Sequence, residues 1–240
     1  MKSLRILASL ILIVTASIAI SAQGNRNVRG NGNVIKKERT APAFTGVKVG
    51  TAIDVYLTQG NNNSIVVEAD ENLHEYIITE VRGGVLTIYY DNVSIREVTM
   101  SRVHVTLKDI TSLETTSAGD IIGQTPLKCG DIEIGTSSAG DIKVELTAAN
   151  VEVDISSAGD VTLSGTANRL EADLSSAGEL EASDLKVKEA EVSVSSAGSA
   201  SIYVSERLEA RASSAGDIRY YGDPKYVDSH ASSAGSIRKR

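Results

Sequence analysis

Ile155-Ser156-Ser157-Ala158-Gly159-Asp160-Val161-Thr162-Leu163 is one copy of the unit that decides the fold. Ser-Ala-Gly recurs seven times, with its glycines at Gly119, Gly140, Gly159, Gly178, Gly198, Gly216 and Gly235. The intervals are 21, 19, 19, 20, 18 and 19 residues. A fixed period near twenty in a chain rich in Val, Ile, Ser and Thr marks a solenoid that adds one coil per repeat.

Around each turn the residues alternate with period two, as half-buried strands do. Ile142, Val144 and Leu146 alternate with Lys143 and Glu145; Val151, Val153 and Ile155 alternate with Glu152 and Asp154. Each coil is therefore expected to carry two short strands, one after the turn and one before the next. In-register stacking at about 4.8 Å makes the six intervals a rod of roughly 29 Å. Crossovers between parallel strands are right-handed. The expected fold is all-β, a right-handed parallel β-helix of about 19–20 residues per coil with irregular terminal coils. Continuing the alternation from Ile155 sets Ser156 outward and Ser157 inward, with Ser138, Ser176, Ser196 and Ser214 likewise inward. Glycine at the turn serves a backbone angle barred to other residues, or lets neighbouring coils approach closely.

Lys2, Arg5 and the apolar run Ile6–Ile20, followed by Ser21 and Ala22, read as a signal peptide spanning residues 1–22. No later apolar run is long enough to span a membrane as a helix. Export to the periplasm, the outer-membrane surface or the medium is expected. Without residues 1–22 the chain keeps 22 basic against 31 acidic residues, a formal charge of −9. That balance argues against a nucleic-acid partner, which needs a basic face. Cys129 is the sole cysteine, so no intrachain disulfide forms and the thiol reads as a small hydrophobe. Residues 23–33, rich in Gly and Asn, read as a flexible linker, and 34–240 as a single β-helix domain.

Between residues 34 and 115 the strands are less regular. Thr51-Ala52-Ile53-Asp54-Val55-Tyr56-Leu57 is a degenerate turn-strand unit, and the interruption Tyr220-Tyr221-Gly222-Asp223-Pro224 resembles a capping irregularity. Terminal repeats depart from the pattern because they close an open sheet edge. The export signal, the Gly-Asn lead, Val67-Glu68-Ala69-Asp70-Glu71-Asn72-Leu73 and the repeated Ser-Ala-Gly-Asp-Ile turns resemble the auto-transporter adhesin head (GIN) domain family. The resemblance covers about residues 43–222. It implies a right-handed β-helix on an exported bacterial protein and supplies no functional residue.

The residues after the turn glycines form an acidic column: Asp120, Asp141, Asp160 and Glu179. Acids 4.8 Å apart repel by about 0.9 kcal/mol per pair even in water. A divalent cation would relieve this and makes these four the candidate metal ligands; the simpler reading has them accept turn N–H groups. Outward Glu152, Asp154, Glu171 and Asp173 would stack as carboxylate pairs, nominally suited to glycosidic chemistry, although a solvated sheet face shows the same alternation. His74, His104 and His230 lack metal-ligand spacing. Tyr89 and Tyr90, with Tyr56 and Tyr76, are candidates for stacking on sugars, against ordinary cap packing. The expected protein is a non-catalytic interaction module for an extracellular glycan or protein, with no cofactor; a carbohydrate-active β-helix enzyme and a structural envelope protein are the alternatives.

Overall fold

The computed structural model describes residues 26–240; the expected signal peptide lies outside them. Strand makes up 66% of the fold, and about seven stacked parallel coils form a β-solenoid. Each coil has a leading wall that runs into the Ser-Ala-Gly corner and a trailing wall that leaves it. In the trailing wall Ile142, Val161, Leu180, Ala200, Ile218 and Ile237 pair coil on coil. All but Ile237 are buried, and matching leading-wall ladders such as Val151, Leu170, Ala190 and Leu208 face them across the interior.

The chain between corners is one strand rather than two: Ile142–Ser156, Asp160–Ser175, Glu179–Val194 and Ser199–Ala212. The far bend is made within the strand, with Ala148 still paired to Ala167 and Gly165 at φ +108°. Pairing survives a bend made by small residues, so the strand is not interrupted there. Length variation in the repeat falls at this bend. Residues 183–185 interrupt the register between Ala182 and Lys186, and residues 124–126 separate Ile121–Gly123 from Leu127–Lys128.

The corner differs from the expected one. Ser157, Ser176, Ser196 and Ser214 are exposed and Ser138 is half-buried, so no inward serine ladder exists. The second serine instead takes the left-handed conformation, with φ +89° at Ser157 and +74° at Ser176. In later coils both central residues do so: Ser196 and Ala197, Ser214 and Ala215, Ser233 and Ala234. The bonds Gly216 N–H to Ser213 O (2.9 Å) and Gly235 N–H to Ser232 O (2.8 Å) close these as type I′ turns. Their side chains are thrown outward, which breaks the period-two count at this point. The corner glycine faces in, and its own φ is not positive. A Cβ on Gly140 would lie 2.5 Å from the Gly119 carbonyl oxygen, and one on Gly159 2.8 Å from that of Gly140. Close approach, not bending, is what requires glycine here.

The two lowest levels are out of chain order. Gly46–Val49 and Asp54–Gln59 lie beneath Ser112–Thr115 and Ile121–Gly123, and Val85–Tyr90 and Ser101–Leu107 lie beneath them in turn. The chain thus returns under its own first coil before stepping over it to start the regular stack. Thr51 makes the degenerate corner, with φ +71° and its carbonyl under Gly119. Ser64–Asp70 pairs antiparallel with Ser101–Leu107 and with Val34–Arg39, and Ile77–Arg82 pairs antiparallel with Val85–Tyr90. These strands close one end of the rod. At the other end, residues 222–225 connect Asp217–Tyr221 to Tyr226–Ala231, and Ser236–Lys239 still stacks on Asp217–Tyr221, so the Tyr220–Pro224 interruption is not the last layer.

Residues 26–33 are not a free linker. Arg26–Arg29 pairs with Val93–Glu97. Asp70, fully buried, accepts N–H groups from Gly32 (2.7 Å) and Thr99 (2.8 Å), and Asn72 binds the main chain of Arg29 and Asn31. The Gly-Asn composition that suggested flexibility supplies these local bonds instead. Burial pushes the Asp70 carboxyl pKa up, but N–H donors from Thr99, Gly32 and Met100 outweigh it and hold the pKa below its ordinary 3.8.

Three stability measurements follow from this geometry. Gly159→Ala should cost about 1–3 kcal/mol by overpacking against the Gly140 carbonyl, whereas Gly130→Ala, with open space around it, should leave the melting temperature unchanged. Ala215→Gly, at φ +67°, should stabilise by roughly 1 kcal/mol because the left-handed Cβ penalty disappears. Asp70→Ala should cost about 2–3 kcal/mol by orphaning its donors. A depressed carboxyl pKa stabilises above the unfolded value of 3.8, so the gap between wild type and Asp70→Asn should narrow as pH falls through the folded pKa. A gap that widens in acid would contradict that role.

Candidate functional site

In-register stacking turns single residues into columns along the rod. The trailing-wall column is acidic as expected, and it starts one level lower than the repeats indicate. Asp54 lies under Asp120, with Arg102 opposite it in the next strand. The aspartates accept main-chain N–H groups from the next level: Asp141 N–H binds Asp120 Oδ1 at 3.1 Å, and Asp160 N–H approaches Asp141 Oδ1 at 3.4 Å. Burial and the Asp120 charge raise the Asp54 pKa, opposed by Arg102 and the Asp120 N–H. Burial and the Asp141 charge likewise raise that of Asp160, opposed by the Glu179 N–H. The column is thus held by main-chain donors. Among the described residues no three His, Cys, Asp or Glu side chains converge on a point that could hold a metal ion.

The leading wall carries a second acidic column: Glu133, Glu152, Glu171, Glu191, Glu209 and Asp228. Each stands seven positions before a corner glycine, a fixed offset that was available in the sequence. Cations bind its upper part. Arg169 reaches Glu171 (3.2 Å) and Glu191 (2.8 Å), and Arg207 reaches Glu209 (2.7 Å). Glu152 lies among Asp154, Glu133, Glu171 and Asp173, and burial followed by these charges raises its pKa. The structure therefore brings together the four outward acids named from the sequence.

Next to this column runs a groove. Asp154, Asp173, Ser193, Arg211 and His230 succeed one another along one margin. Ser156, Ser175, Ser195, Ser213 and Ser232, the first serine of each repeat, form the other. The groove encloses about 490 Å³ over five coils. It continues past Asp154 and Ser156 into a depression of about 270 Å³ beside Glu114 and Gly135. The groove is acidic at Asp154 and Asp173 and cationic at Arg211. Arg211 was not singled out in the sequence, and His230 only as an isolated histidine, because their partners across coils are set by register rather than by local pattern.

The aromatic candidates do not form one surface. Tyr89 and Tyr90 are consecutive residues of a strand and point to opposite sides. The Tyr89 hydroxyl binds Glu80 (3.2 Å); Tyr90 packs against the core with its hydroxyl on Ser101 (2.7 Å). Tyr56 is on the other wall, stacked on His104 at 5.6 Å beneath Arg102. His104 binds Glu68 (2.8 Å), His74 is buried against the Ile35 carbonyl, and His230 is exposed, so the three histidines are separate. Cys129 is half-buried, and burial pushes its thiol up to about 11, which keeps it protonated. A further crevice of about 260 Å³, lined by Ala52, Tyr90, Val93, Ile95 and Val98, separates the lowest corner from the Val93–Glu97 strand.

Solved structures share this architecture. A putative adhesin from Bacteroides fragilis is 21% identical with a TM-score of 0.85, covering 89% of this chain and 100% of its own. A putative lipid binding protein from Parabacteroides distasonis is 26% identical with a TM-score of 0.74, covering 90% of this chain and 100% of its own. A putative adhesin from Parabacteroides merdae is 23% identical with a TM-score of 0.70, over 90% of this chain and 99% of that one. No curated protein sequence matches the chain. The family model described as "Putative auto-transporter adhesin, head GIN domain" matches residues 43–224, and with the stacked coils and their Ser-Ala-Gly corners this places the chain in that family.

Proposed function

We propose that the protein is an exported, non-catalytic interaction module that binds an extended glycan along the leading-wall groove. The observation that carries this reading is the groove itself. It runs parallel to the rod axis, so a polymer lying in it meets equivalent groups at each coil spacing of about 4.8 Å. Serine hydroxyls on one margin donate and accept hydrogen bonds, as sugar hydroxyls do. Carboxylates and Arg211 on the other margin fix the direction in which the chain lies. Family membership and the adhesin names of its structural neighbours agree with a binding role. Export, expected from residues 1–22, puts such a ligand within reach.

The clustered carboxylates around Glu152 also resemble the acid pair of a glycosidase. Their stacking follows from the repeat alone, and binding needs no further group. A second reading concerns the crevice beside Ala52, Tyr90 and Val93. Its lining is apolar at Ala52, Val93, Ile95 and Val98, the last 46% exposed, and also includes Arg96 and Glu97, a combination that suits a single acyl chain with a polar head, in keeping with the name of the Parabacteroides distasonis neighbour.

A glycan array probed with the purified protein tests the first reading. Ser175→Trp, from an exposed position, and Ser195→Trp, from a half-buried one, fill the groove and should each weaken binding at least about tenfold, the effect of roughly 1.4 kcal/mol. Tyr90→Ala should leave it unchanged. Loss of binding with Val98→Asp but not with Ser175→Trp would move the site to the crevice. Shortened glycan products after incubation would replace binding with catalysis.

A further inference from the structure

We propose that the rod pairs tail to tail with a second copy of this chain through the open edges of Tyr226–Ala231 and Ser236–Lys239. Among the described residues the first of these strands pairs only with Ser199–Ala212 and the second only with Asp217–Tyr221. Their outer edges therefore present unsatisfied N–H and C=O groups, the template on which another strand adds. The final coil also leaves the core open. Val227, Ser229 and Ala231 continue the inward positions of Leu208, Ala210 and Ala212, which are buried, yet all six residues of Tyr226–Ala231 are exposed and Val227 is 42% exposed. Ile237 continues the buried Ile218 in the same way.

The opposite end is not built like this. Its outer strands, Val34–Arg39 and Ile77–Arg82, each pair on one side only among the described residues, but they run antiparallel to their neighbours, and Val34–Arg39 carries Lys36, Lys37, Glu38 and Arg39 along its length. Head-to-tail stacking would set a coil edge against that unrelated cross-section. A lone donated strand would cover one wall and leave the other open. Only the same end of another copy matches both walls at once.

The sequence of the edge is complementary to itself in one register. Paired antiparallel about a two-fold axis, directly opposed residues share a face, so inward residues must meet inward residues. Centring the pair on Ser229 sets Val227 against Ala231 and, on the outer face, Asp228 against His230 of the other copy. Centring on Asp228 would oppose two carboxylates, and centring on His230 would oppose two imidazoles. In the trailing wall, centring on Ile237 sets Ser236 against Arg238 and avoids an arginine pair. Ser229 and Ile237 each lie four residues from Ser233 at the corner. A single axis can therefore pass through both. The contact is smaller than a standard interface of about 1,600 Å², so the dimer forms and dissociates with concentration.

Sedimentation velocity of the purified protein from low to high micromolar concentration should show conversion from one to two copies. Val227→Lys, on the exposed edge, should keep the circular dichroism spectrum and lose the dimer. Asp228→Arg should weaken association at least about tenfold, and adding His230→Asp should restore it. In a Cys129→Ser background, Ser229→Cys should give a disulfide-linked dimer on mild oxidation. Lys37→Glu, at the closed end, should change nothing. A monomer at every concentration, or a dimer that survives Val227→Lys and does not cross-link through Ser229→Cys, would overturn the proposal.

Discussion

Five of the seven corner glycines, Gly119, Gly140, Gly159, Gly216 and Gly235, rest against a main-chain carbonyl of the preceding level at a distance that no Cβ tolerates, and Gly178 and Gly198 lie only slightly farther off. Gly159 against Gly140 and Gly140 against Gly119 are the regular cases, and Gly119 against Thr51 ties the first repeat to the irregular base. The contact fixes where one coil lies on the next. The corner carbonyls also serve as acceptors between coils: Gly178 O accepts the Ser199 N–H at 3.1 Å and Gly198 O the Asp217 N–H at 3.0 Å. Once the corners stack, the walls on either side are held in parallel register, and the aliphatic columns inside them close.

The same register has an electrostatic consequence. A residue type repeated once per coil becomes a line of identical groups about 4.8 Å apart, so any repeated acid is forced beside its own kind. The two acidic columns answer this differently. Along the trailing wall the aspartates from Asp54 to Asp160 accept the N–H of the residue one coil on, so part of the repulsion is offset by a charge-assisted bond. Along the leading wall the offset comes from arginines, which bridge Glu171, Glu191 and Glu209 but not Glu133 and Glu152. The raised pKa of Glu152 marks the place where compensation stops.

The repeat made the coils legible, because period two and a fixed corner spacing are properties of neighbouring residues. It misled at the corner. The inward count through Ser157 assumed that alternation continues into the turn, and a left-handed residue there resets it. Residues 26–33 misled for a related reason: Gly and Asn signal a turn as readily as a linker, and the partner that decides, Asp70, is some forty positions away. The threading of Val85–Leu107 beneath Gly46–Gln59 leaves no local trace at all. Of the groove, the serines and acids were visible as columns, but Arg211 and His230 gain meaning only from the coils on which they stack.

A repeat strict enough to build a rod leaves little room for specificity within itself, since each coil presents what the last one did. Function must then draw on what the repeat adds up to or on where it breaks. The groove is of the first kind: no coil contains it, and its length grows with coil number while its chemistry changes from Asp173 to Ser193 to Arg211. The open end is of the second. There the inward residues of the outermost described strands lie uncovered, and the forces that join coil to coil inside the molecule remain available to join one molecule to another.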